Sequence, residues 1–134
     1  MKTKYHHSSH CKYLIKLHFV LAVKYRKQLL KGCIDTDMKQ ILFEIAQSKG
    51  FEINVMQSDI DHIHILIDSS PVFSPFNIAH QLKQISTFRI WKKHSQELKK
   101  HFWKERTFWS DGYFVCSTGN ASTEIIQKYI ESQG

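Results

Sequence analysis

The sequence is poor in residues that would interrupt it or cross-link it. Two prolines and five glycines in 134 residues leave no room for a long flexible linker. That argues for one domain over residues 1–134. The three cysteines, Cys11, Cys33 and Cys116, are odd in number and widely spaced, with no Cys-x-x-Cys among them. This argues against a disulfide framework and a cysteine zinc site, and it suits a reducing cytoplasm. Long apolar runs are missing too. The longest, Leu14 to Val23, is interrupted by Lys16 and His18 and is too short to span a membrane. The opening Met-Lys-Thr-Lys-Tyr-His-His leads into no apolar core of the signal-peptide kind. Internal repeats and low-complexity segments are absent. Acidic residues are outnumbered, 12 against 19 Lys+Arg, for a net charge of +7 with nine histidines besides. The surplus favours a polyanionic partner, nucleic acid before a membrane surface. A simply basic soluble protein has the same balance. With 42% hydrophobic residues the chain reads as globular, not disordered.

The most informative stretch is Ile60-Asp61-His62-Ile63-His64-Ile65-Leu66-Ile67-Asp68. It is rich in β-branched residues and bounded by Gln57-Ser58-Asp59 and Ser69-Ser70-Pro71, so it reads as a buried strand. Alternation puts Ile63, Ile65 and Ile67 on one face and His62, His64 and Leu66 on the other. Two imidazoles two residues apart can converge on one ion. They can equally lie on a solvated face and make ordinary hydrogen bonds. Two histidines are too few for a closed structural zinc site, which takes four ligands, so a metal here needs a further ligand from elsewhere.

Around this stretch the periodicity alternates between two and three to four. Residues 1–10 are polar and read as a mobile start. Residues 12–23 form a first strand, with His18 on its more polar face, where it can neighbour His62 and His64. Residues 35–49 form a helix that Asp35 or Thr36 can cap, with Met38, Ile41, Leu42, Ile45 and Ala46 inward and Gly50 ending it. Phe51–Met56 is a second strand, and Ser58-Asp59 turns into the histidine strand. A long helix from about Phe76 to His94 turns Ile78, Leu82, Ile85, Phe88 and Trp91 inward, and Lys83, Arg89, Lys92 and Lys93 outward. A short strand near Tyr113–Cys116 and a last helix capped by Ser122 complete the chain. The order β-α-β-β-α-β-α predicts an α+β, ferredoxin-like (RRM-like) antiparallel sheet with helices packed on one face, plus a C-terminal helix that carries a tyrosine. The histidine strand is then central, and its histidines face away from the two packed helices, on the side where RNA-recognition folds hold ligand.

Two other segments carry chemistry. Lys24-Tyr25-Arg26-Lys27 sets an aromatic within a basic cluster at a strand end, which suits phosphate contact with base stacking. A solvated charge run fits equally well. On the last helix, Tyr129 and Gln133 lie four residues apart, so one face can present a phenol beside an amide. A phenol becomes a competent nucleophile where a metal polarises the electrophile. A packing aromatic is the ordinary alternative for Tyr129.

Taken in order, Lys24-Tyr25-Arg26, Asp61-His62-Ile63-His64-Ile65-Leu66, Tyr113-Phe114 with Ser117-Thr118-Gly119, and Gln127-Lys128-Tyr129-Ile130-Glu131-Ser132-Gln133 resemble the single-tyrosine HUH transposases of the insertion-sequence-two-hundred type. The resemblance runs from about residue 8 to the end. It implies a homodimer acting on single-stranded DNA recognised through hairpins, with active sites shared between subunits. It implies a divalent metal, Mg²⁺ or Mn²⁺, held by His62 and His64 with Gln133 as third ligand. It implies Tyr129 as the nucleophile that forms a 5′-phosphotyrosine, with Gly119 as hinge of its helix. Lys24, Arg26, Lys27, Lys83 and Arg89 are the candidate DNA contacts. The competing expectation is a ferredoxin-like single-strand-binding module without catalysis.

Overall fold

The computed structural model describes residues 6–8, 11–117, 131 and 132. A small ribbon comes first: β1 (His6–Ser8) pairs antiparallel with β2 (Cys11–Tyr13). The expected mobile start is therefore replaced by strand at residues 6–8, because the first residues of the long strand segment fold back on it. The domain proper follows as β3 (Ile15–Ala22), α1 (Gly32–Lys49), β4 (Glu52–Asp59), β5 (His62–Ser69), α2 (Pro75–Lys99) and β6 (Phe114–Ser117). The four long-range strands form one antiparallel sheet in the order β4-β5-β3-β6. This is the ferredoxin-like arrangement expected, with the first and third of its strands in the middle. Of the last helix, only Glu131 and Ser132 fall within the described residues, and both are helical.

The sheet is two-sided because β5 alternates strictly. Ile63, Ile65, Ile67 and Ser69 are buried, and the residues between them are only partly so. The isoleucines join Phe19, Leu21 and Val23 of the neighbouring strand segment in one core. Met38, Ile41, Leu42 and Ile45 from α1, and Ile78, Leu82 and Ile90 from α2, complete that core. Burying such side chains is the main driving term for the domain. His62, His64 and Leu66 are left on the opposite face.

Several boundaries depart from expectation for identifiable reasons. Helix α1 begins at Gly32, not near residue 35, and its N-cap is Lys31 with no side-chain cap. Asp35 instead accepts a 2.6 Å hydrogen bond from the Ser58 hydroxyl, and the Thr36 hydroxyl donates to Gly32 O. Gly50 closes the helix in the left-handed region at φ 94°, as its position suggested. The β4–β5 turn sits at Ile60-Asp61 and not at Ser58-Asp59, because β4 pairs as far as Asp59, opposite His62. Helix α2 runs on to Lys99 through a kink at His94 (φ −129°, ψ 32°), whose Nε2 lies 2.7 Å from Asp37 Oδ2 on α1.

Phe88, expected inward, is 62% exposed. The buried stripe of α2 runs in steps of four through Ile78, Leu82, Ser86 and Ile90. A serine in that stripe hides it from a search for apolar spacing. Ser86 is buried because its hydroxyl accepts from Trp109 Nε1 at 2.9 Å, while Trp91 Nε1 donates to Thr107 O at 2.8 Å. These two indole bonds dock the 107–109 segment onto α2. Ser86→Ala should therefore leave a buried indole N–H unpaired and destabilise the domain by about 1–3 kcal/mol, read as a lower urea midpoint with an unchanged slope.

Candidate metal and DNA site

The face of the sheet away from α1 and α2 brings three imidazoles together. Register pairs Val20 with His64 and Ala22 with His62, and places His18 opposite Leu66. The His18 and His64 rings lie 5.2 Å apart between centroids, and those of His62 and His64 5.1 Å apart. His18 was expected beside the histidine pair, and it is there: its Nε2 is 3.0 Å from His64 Nδ1. His18, His64, Val55, Gln57 and Leu66 line a shallow hollow on this face.

The β4–β5 turn orients the first histidine. Asp61 Oδ1 lies 2.8 Å from His62 Nδ1, and Asp61 Oδ2 accepts from Arg26 Nε at 3.1 Å. Burial alone would raise the Asp61 pKa, but the hydrogen bonds from His62 and Arg26 outweigh it and hold the carboxyl below its ordinary value. An ionised carboxylate only accepts, so His62 carries a proton on Nδ1, and in the neutral ring Nε2 is the nitrogen left with a lone pair. A carboxylate–histidine pair of this kind fixes the ring and tautomer of a metal-binding imidazole.

His64 presents a choice. Its pKa is lowered by burial first and then by His62 and His18, and that of His18 is lowered by burial. Two neutral rings share the 3.0 Å contact, so one donates. If His64 donates from Nδ1 to His18, the lone pair of His64 Nε2 is free beside that of His62. If His18 donates, it is not. A cation on this face selects the first arrangement. The donor set thus fits a divalent ion as two neutral nitrogen ligands, with the rest of the shell supplied elsewhere. Among the described residues, no three His, Cys, Asp or Glu side chains form a complete metal set. Gln133 and Tyr129, the expected third ligand and nucleophile, lie outside the described residues, as does Gly119.

Four of the five expected DNA-contacting cations have protein partners. Lys24 Nζ reaches Glu105 Oε1 at 3.4 Å and Asp111 Oδ1 at 3.5 Å. Arg26 is committed to Asp61. Lys83 is not turned outward as expected; it is part-buried and donates to the carbonyls of Asp111 (2.8 Å) and Gly112 (3.2 Å). Burial lowers its pKa, and nearby Lys24 adds to the effect against Asp111. Arg89 pairs with Glu44 between α2 and α1, in the helical layer across the sheet from His62 and His64. Lys27 is partly exposed. The contact that residue-type reasoning missed is that of Asp61 with His62 and Arg26. Its signal was an acid immediately before the histidine pair, at a turn.

The family described as "Transposase IS200 like" matches residues 11–133. The ISDra2 transposase TnpA of Deinococcus radiodurans is 33% identical over 121 residues, covering 90% of this chain and 85% of that protein. The transposase for insertion sequence element IS200 of Salmonella typhimurium is 30% identical over 125 residues, covering 93% and 80%. The crystal structure of a candidate transposase from Deinococcus radiodurans superposes with a TM-score of 0.86 at 28% identity, covering 99% of this chain and 98% of that one. A REP-associated tyrosine transposase bound to a REP hairpin shares the fold, with a TM-score of 0.54 at 16% identity over 93% of this chain and 69% of its own. No described helix is long and apolar enough to cross a membrane.

The histidine pair sets a pH dependence. Both His18 and His64 bind protons less readily when folded than when unfolded. The unfolded chain therefore takes up more protons below their ordinary value of 6.5, and stability falls as pH drops from there through the lower folded values. Urea midpoints measured in EDTA should decline from neutral pH to pH about 5.5, and His18→Gln should flatten that decline.

Proposed function

The chain belongs to the IS200-like transposase family, and on that premise we propose that it cuts and rejoins single-stranded DNA at insertion-sequence ends through a covalent tyrosine intermediate. The observation that carries the reading is the pair His62 and His64 on the sheet face away from α1 and α2, with the Nδ1 of His62 held by Asp61 and that of His64 in contact with His18. Both rings can then turn Nε2 towards a shared ligand. Together with Gln133 they hold a divalent ion, Mg²⁺ or Mn²⁺. Such an ion supplies charge neutralisation on the phosphate oxygens.

Tyr129 is the nucleophile of this proposal. Its phenolic oxygen gives up a proton and forms a bond to the scissile phosphorus, while the bond from phosphorus to O3′ breaks. O3′ takes up a proton and leaves as a free hydroxyl, and the 5′ side remains as phosphotyrosine. Attack by a second 3′-hydroxyl on that link reverses the exchange and releases Tyr129, so joining needs no external energy source. His62 and His64 position the reacting phosphate; Asp61 acts through His62. Lys24, Lys27 and Lys83 supply positive potential that draws the strand in; Arg26 fixes Asp61, and Arg89, paired with Glu44 in the helical layer across the sheet, adds only to the long-range field. The substrate ends carry hairpins, as in the REP hairpin held by the tyrosine transposase of similar fold. The working unit is a homodimer whose subunits share active sites.

A denaturing gel tests this directly. Single-stranded oligonucleotides from both flanks of the gene should give a covalent protein–DNA band with Mn²⁺, none with EDTA, and none with Tyr129→Phe, whose binding stays nearly intact. A band that survives in Tyr129→Phe rejects that nucleophile. A metal-insensitive gel shift with no band supports a binding module instead.

A further inference from the structure

Apart from the histidine face, the least conventional backbone in the described residues is the turn after β3. Tyr25 (φ 58°) and Arg26 (φ 51°) are consecutive non-glycine residues with positive φ. Such a pair is costly and persists only where the surroundings impose it. Here they do. Lys24 N donates to Phe108 O, Arg26 N to Val23 O, and Val23 N to Asp61 O, all within 2.8–2.9 Å. Arg26 Nε adds its bond to the Asp61 carboxylate. The consequence is that Tyr25 stands out from the surface, 62% exposed.

Opposite the strained turn is a second exposed ring. Trp103 is 75% exposed, while Trp91 and Trp109 are 2% and 3% exposed. Tyr25 and Trp103 line one cleft of about 410 Å³, floored by the buried Phe102 and flanked by Lys104, Glu105 and His101. Lys24 Nζ sits 5.7 Å from the centre of the Tyr25 ring and also engages the Glu105 carboxylate. Two exposed rings, with Lys24 over the Tyr25 ring and Lys104 in the cleft wall, match a flat, polarizable group carried on an anionic chain. Base–aromatic stacking uses this combination, and it needs a base that is not already stacked in a duplex.

We propose that the Tyr25–Trp103 cleft is a stacking site for an unpaired base of the DNA strand on its way to His62 and His64. The proposal rests on the single-strand reading above and adds a place to it. The turn that holds Tyr25 is hydrogen-bonded to the turn that precedes His62, through Val23 N to Asp61 O and Leu30 N to Ile60 O. A base held in the cleft is therefore registered against the candidate site by the same backbone that orients His62.

The test uses the full chain with Tyr129→Phe, in EDTA, so that binding is read without cleavage. The probes are a labelled oligothymidylate and a duplex of equal length. Trp103→Ala and Tyr25→Asn should each weaken single-strand binding roughly five- to hundredfold and leave duplex binding unchanged. Asparagine is chosen because it tolerates positive φ, so the turn is kept while the ring is lost. Oligothymidylate should also quench tryptophan emission, and the quenching should vanish in Trp103→Ala, since the other two indoles are buried. Unchanged single-strand affinity in both variants overturns the proposal. So does an equal loss on the duplex, or a loss of self-association instead of DNA binding. Adduct formation in the Tyr129 protein separates the two readings. If it persists while both variants bind normally, the cleft fails and the nicking reading stands. If it is absent while both variants bind weakly, the nicking reading fails and the cleft stands.

Discussion

The Asp61 carboxylate stands between a guanidinium and an imidazole, and what it does to each sets the rest of the site. It accepts from Arg26 Nε at 3.1 Å and lies 2.8 Å from His62 Nδ1. Because it is part-buried, removing either donor leaves charge poorly compensated, and hydrogen bonds to charged groups are the stronger kind. On one side the carboxylate decides which nitrogen of His62 keeps a lone pair. On the other it helps hold the strained Lys24–Arg26 turn, and with it the exposed Tyr25. One acid at a hairpin turn thus couples the backbone of two crossings to the orientation of a candidate ligand.

That coupling works because the sheet separates two tasks. Ile63, Ile65 and Ile67 anchor β5 in the core at 0% exposure, so the direction of the alternate side chains is fixed before their own contacts with one another are counted. Slipping β5 by one residue would exchange the isoleucines for the histidines, at a large hydrophobic cost. The register that places Ala22 opposite His62, and His18 opposite Leu66, is therefore held by burial on the far face. The candidate site is preorganised by the helices it does not touch.

How much of this was legible in the residues follows from which forces are local. The strand order, the two-faced histidine strand, the Gly50 helix end and the neighbourhood of His18 could be read from period and turn chemistry. The start of α1 could not, because Asp35 and Thr36 look like caps until Ser58 claims the first and Gly32 O the second. The burial of α2 could not be read at Phe88, since the stripe passes through Ser86, whose partner Trp109 is 23 residues away in sequence. Arg26 looked like a phosphate contact. Only the fold brings Asp61 to it across 35 residues. Local spacing reveals elements and faces, whereas the polar partners that orient a site come from non-local pairing.

The tautomer of His62 is the most direct measure of this account. Long-range ¹H–¹⁵N correlation spectra of the metal-free chain at neutral pH, assigned with His62→Gln, separate protonated from unprotonated ring nitrogens. A proton on Nδ1 and a bare Nε2 for His62 is the predicted result, with Asp61→Asn shifting the balance. A proton resident on Nε2 would contradict it, because that nitrogen would then have no lone pair to offer.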